Sequence, residues 1–69
     1  MQRWDKKVVV DQKVADDIRY TLYAVPVQPK VGKPFWAYYI TRTHAIRGTV
    51  FSPRPFMRAD TAVDHFNAL

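Results

Sequence analysis

From Phe35 to Thr41 the chain alternates along an extended backbone. Trp36, Tyr38 and Ile40 fall on one side, and Phe35, Ala37, Tyr39 and Thr41 on the other. Strand side chains alternate between faces at period two, and aromatic and β-branched residues fit a pleated surface. The surrounding stretch, Pro34 to Phe56, reads PFWAYYITRTHAIRGTVFSPRPF and contains three arginines and no acid. It predicts a strand over Phe35–Thr43 and a second over Ile46–Ser52. The join near Thr43–Ala45 is short, so the two should be antiparallel neighbours. An odd-numbered loop would set Ile40 opposite Gly48 and Tyr38 opposite Val50. This hairpin is the expected middle of a small sheet.

Upstream, Lys7–Val10 ends in three valines and reads as a short strand. Asp11–Asp17 reads as a polar turn; the alternative is one helical turn capped by Asp11, with Val14 and Ile18 four apart. Arg19–Val25 alternates as a strand, with Tyr20, Leu22 and Ala24 on one side. Pro26 should limit it, because proline cannot donate to a ladder. Pro26–Pro34 carries three prolines and Gly32, a loop composition. Residues 1–6 are expected to form a mobile end, from which Trp4 can fold back onto the core.

Ser52–Pro55 must leave the sheet, having two prolines among its residues. Asp60 then reads as a helix cap, with Ala62, Val63, Phe66 and Leu69 on one stripe of a helix over Thr61–Leu69. So short a helix is not stable alone and must lie on the sheet. The face to cover is the even one: Tyr20, Leu22, Trp36, Tyr38, Ile40 and Val50. The predicted class is α+β: an antiparallel sheet of three or four strands with one C-terminal helix packed on one face. Residues 1–69 form a single basic domain.

The chemistry-bearing residues are sparse. The chain has no cysteine and two histidines, which excludes disulfides and is too little for an ordinary structural zinc site. His44 is expected at the hairpin tip as a turn residue, and His65 at the helix rim. There is no glutamate and no glycine-rich phosphate loop, and Ser52 is followed at once by proline. No enzyme, cofactor, metal or small-molecule substrate is expected. No run approaches the roughly 20 apolar residues of a membrane span, and the opening MQRWDKK lacks the apolar core of a signal peptide. The cytoplasm is the default location. A domain this small buries only about 60% of its unfolded surface. Self-association is the staple left to it.

The net charge of +5 is unevenly spread. Residues 1–17 balance Arg3, Lys6, Lys7 and Lys13 against Asp5, Asp11, Asp16 and Asp17. Residues 18–58 carry Arg19, Lys30, Lys33, Arg42, Arg47, Arg54 and Arg58 and no acid. Such a surface favours anionic partners at long range. The odd face of the sheet would present Arg19, Tyr23, Phe35, Tyr39, Arg47 and Phe51. One helix cannot cover both faces, and arginine interleaved with aromatics suits base stacking and phosphate contact. The same residues could instead pack under the N-terminal segment or against a second copy.

The candidate partner-binding residues are therefore Arg19, Tyr23, Lys30, Lys33, Tyr39, Arg42, Arg47, Phe51 and Arg54. The expected function is a non-enzymatic binding module directed at an anionic partner, with nucleic acid the first candidate. The alternative is a protein-binding accessory or inhibitor module, of the kind phages and mobile elements encode. It would act on an acidic surface of a larger host protein, as a homodimer in one version. Three strands followed by a helix on a basic chain is similar in outline to the arm-type DNA-binding domains of tyrosine recombinases, over about residues 18–69. That resemblance implies a sheet placed in a DNA groove. It is one of strand order, and it carries no site residue across.

Overall fold

A computed structural model describes residues 2–52 and 54–69. The elements are a 3-10 turn (Trp4–Lys6), β1 (Val8–Ala15), β2 (Ile18–Val27), β3 (Phe35–His44), β4 (Gly48–Phe51) and α1 (Ala59–Asn67). The strands form one antiparallel sheet in the order β1-β2-β3-β4, with α1 on one face. The α+β class holds, with four strands. The molecule is elongated, 42 × 23 × 18 Å.

Two expectations about β1 and its turn are corrected. Asp11–Asp17 is not a turn: β1 runs through Asp11 to Ala15, and the chain reverses at Asp16 and Asp17 alone. Asp16 sits at φ 56°, in the left-handed region that aspartate tolerates better than most residues and that tight hairpins require. The polar composition of DQKVADD belongs to a strand with largely exposed side chains and the two-residue turn after it. A bulge between Val9 and Asp11 shifts the register against β2.

Pro26 does not end β2, which continues to Val27 with Pro26 opposite Trp36. The Pro26 carbonyl accepts from the Arg3 N–H at 2.9 Å, so its backbone faces the N-terminal segment. The missing donor therefore costs no bond to β3.

The β3–β4 hairpin keeps its predicted parity but not its register. Val50 lies opposite Arg42, and Gly48 opposite His44. Ile46 is in the turn and not in a strand. The reason is local. Gly48 takes φ 84°, and His44 Nδ1 accepts from the N–H groups of Ile46 (3.1 Å) and Arg47 (3.3 Å). These features centre the turn on Ala45–Arg47, further along than the sequence suggests. Because the shift is even, the faces are unchanged.

Beyond β4 the chain stays beside β3. Ser52 N–H donates to the Ile40 carbonyl at 2.9 Å, and Phe56 and Tyr38 exchange both backbone bonds at 2.8 Å. Of the Ser52–Pro55 run, Pro53 lies outside the described residues. The helix begins at Ala59 with Arg58 as N-cap, so Asp60 is in its first turn and not its cap. Ala62 and Phe66 are buried against Leu22 and Ile40, flanked by Tyr20, Tyr38 and Phe56. Val63 and Leu69 remain outside this core, 38% and 48% exposed. Trp36 and Val50 of the even face are also left half-exposed, because α1 spans only its middle. Lys13 straps the end of the helix: its Nζ donates to the Leu69 carbonyl at 2.7 Å and sits 5.1 Å from the Phe66 ring centroid.

Candidate functional site

The odd face carries a second, smaller core of Val25, Ala37 and Tyr39. The N-terminal segment covers it. Gln2 bridges to Val27, Arg3 N–H donates to Pro26, and the 3-10 turn closes through Lys6 N–H to the Arg3 carbonyl at 2.9 Å. That geometry lays the Trp4 ring 4.8 Å from Tyr39, with edge contacts to Phe51 at 5.5 Å and Tyr23 at 6.3 Å. Gln2 Nε2 donates to Tyr39 Oη, and Trp4 Nε1 donates to Gln2 Oε1 at 3.1 Å. The segment expected as a mobile end is where the aromatic residues of this face converge.

A groove of about 620 Å³ opens beside Trp4. Trp4, Tyr23 and Phe51 form its aromatic side, and Thr41, Thr43 and Thr49 its hydroxyl-bearing side. Lys7 lines the rim. Thr43 Oγ1 and Thr49 Oγ1 pair across β3 and β4 at 3.0 Å. Among the described residues no carboxylate lines the groove. Hydroxyls that both donate and accept, aromatic rings and one ammonium make a surface suited to a flat, polar, anionic ligand.

The structure sorts the sequence-predicted residues into separate groups. Tyr23, Tyr39 and Phe51 come together, but Tyr39 is only 8% exposed: Trp4 seals it, so it supports the site without presenting its ring. Phe51 is 50% exposed and Tyr23 half-buried. Arg19 lies on the same face, opposite Thr43 and Val14, nearer the Asp16–Asp17 turn. Arg47 is in the hairpin turn, not on the odd face. Arg42 stands opposite Tyr20 and Val50, on the helix-covered face, and meets Arg47 and His44 around a small pocket of about 180 Å³ there. Lys30 and Lys33 are exposed in the β2–β3 loop, and Arg54 is exposed beyond β4.

Trp4, Lys7, Thr41, Thr43 and Thr49 were not in the sequence-derived set. A signal for the threonines exists: they occupy odd positions of adjacent strands, where small hydroxyl side chains leave a trough between aromatics. For Trp4 no local pattern fixes its docking.

Two ion pairs form among the described residues, Arg3–Asp5 at 3.2 Å and Arg58–Asp60 at 3.0 Å. The Arg3 hydrogen bond holds the Asp5 carboxyl below the usual carboxylate range. Asp60 is lowered by the hydrogen bond from Arg58 and then by the Thr61 N–H. Among the described residues no group of three metal-ligating side chains occurs, and no helix is long and apolar enough to cross a membrane. No family model, curated protein or solved structure matches the chain.

Proposed function

We propose that this protein is a non-catalytic module that binds single-stranded nucleic acid in the groove beside Trp4. The observation carrying the reading is the groove's composition: aromatic wall, threonine side, Lys7 at the rim and, among the described residues, no carboxylate. Unpaired bases expose π-faces that stack on aromatic side chains, each contributing about 1–3 kcal/mol. Phe51 and the half-buried Trp4 and Tyr23 supply rings at spacings of 5.5 and 6.3 Å. Lys7 and Arg19 lie on this face to meet phosphates, and the acid-free run from 18 to 58 adds long-range attraction. A duplex hides its base faces and would gain only the phosphate contacts. The proposed setting is the cytoplasm.

Fluorescence anisotropy with labelled single strands and the matching duplex tests this. With Lys7 and Arg19 as the phosphate contacts, single-strand affinity should fall about sevenfold between roughly 50 and 200 mM salt. Phe51→Ala should weaken it about tenfold, and Lys7→Ala should flatten the salt dependence. Absence of single-strand binding at low salt, or equal preference for the duplex, rejects the reading.

A further inference from the structure

The outer side of β1 is the one long unpaired strand edge among the described residues. β1 pairs only with β2, and its Val8, Val9, Val10 and Val14 are each about half or more exposed. The opposite edge is β4, four residues long and followed by Pro55. An open edge is a template for another strand, and short, proline-flanked edges are blunted. The bulge between Val9 and Asp11 limits regular pairing on β1 to the run from Asp11 onward, so a two-fold axis on this edge has Asp11, Gln12 and Lys13 as the residues it can pair regularly about Gln12.

We propose that this edge pairs antiparallel with β1 of a second copy, about a two-fold axis through Gln12. The charge pattern selects that register. Two strands related by a two-fold perpendicular to the sheet place residues of the same face opposite one another. Asp11 and Lys13 share the helix-covered face, standing opposite Leu22 and Tyr20 in β2. An axis at Asp11 would oppose two carboxylates, and an axis at Lys13 two ammonium groups. An axis at Gln12 sets Asp11 opposite Lys13 twice, the favourable cross-strand arrangement. The Gln12 N–H donates to Asp11 Oδ1 at 2.8 Å in the single chain. In the pair it is free to donate to the partner strand while Asp11 turns to Lys13, which has donors to spare beside the Leu69 carbonyl. The result is a continuous eight-stranded sheet, with both helices on one face and both Trp4 grooves on the other. The inference is independent of what the grooves bind.

The absence of cysteine makes the register directly readable. Wild-type protein should sediment as a dimer at about 0.1 mM and dissociate on dilution. Gln12→Cys, at the axis, should form a disulfide-linked dimer under mild oxidation. Val14→Cys should not, since the two copies would lie about 14 Å apart along the strands, beyond the roughly 7 Å a disulfide spans. Adding Lys13→Asp to Gln12→Cys should slow cross-linking about tenfold, and adding Asp11→Lys as well should restore it. Circular dichroism checks that each variant keeps its sheet; where one does not, the wild-type sedimentation decides. A monomer at that concentration, faster cross-linking by Val14→Cys, or indifference to the charge swaps overturns the proposal.

Discussion

Truncating Trp4 to alanine separates a docked N-terminal segment from a loose one. Trp4 makes three aromatic contacts, to Tyr39, Tyr23 and Phe51. Each such contact contributes about 0.5–1.5 kcal/mol beyond the area it buries. A fully buried large aromatic costs about 3–5 kcal/mol on truncation. Trp4 is half-buried and caps the sheet from outside, so we expect about 2–3 kcal/mol. The whole domain has about 3–10 kcal/mol at the usual stability per residue. The variant should therefore fold, with its melting temperature lowered by roughly 10–20 °C. Far-UV circular dichroism melts give the midpoint, and near-UV spectra report the loss of aromatic order around Tyr39. The core of Leu22, Ile40, Ala62 and Phe66 does not involve Trp4, so cooperativity should persist. A midpoint lowered by less than about 3 °C would mean that Trp4 does not hold the odd face closed.

Phe66→Ala should be worse, because Phe66 is 2% exposed and anchors α1 to the sheet; a cost of about 3–5 kcal/mol should lower the melting midpoint by more than Trp4→Ala does. Gly48→Ala should cost about 1–2 kcal/mol in urea unfolding, through the backbone at φ 84° alone, since an added Cβ meets nothing within 4 Å. Gly48→Asn should cost less, and equal costs would contradict that cause. Asp5 and Asp60 have lowered folded-state pKa values, so they bind fewer protons folded than unfolded. Their small contribution is present above the ordinary carboxylate range and is lost as pH falls through the lowered values. Melting temperature should decline below about pH 4, less steeply at high salt.

The even face was legible because burial leaves a mark in composition. Leu22, Ile40 and Phe66 are apolar at strand and helix spacing, and they form the core that pattern implies. Side-chain parity survived even where register failed. What set the true register was a left-handed Gly48 and two hydrogen bonds to His44, which no alternation of hydrophobicity encodes. The sequence pattern for β1 stops short at Val10 for a related reason. A strand whose side chains are largely exposed can be as polar as a turn, and Asp11–Lys13 is. The site was half legible. Tyr23, Tyr39 and Phe51 do meet, but the residue joining them, Trp4, is distant in sequence and is placed by its neighbours, Arg3 donating to the Pro26 carbonyl and Gln2 bridging to Val27. Long-range docking of a terminal segment has no local signature. Nor could charge counting show that Arg42 lies on the helix-covered face while Arg19 lies on the groove face.

Amide and indole chemical-shift mapping during titration with a short single-stranded oligonucleotide tests the groove most directly. Shifts confined to Trp4, Lys7, Tyr23, Thr41, Thr43, Thr49 and Phe51 are the predicted result. Shifts centred instead on Trp36, Arg42 or Arg47, or none at saturating strand, would contradict it.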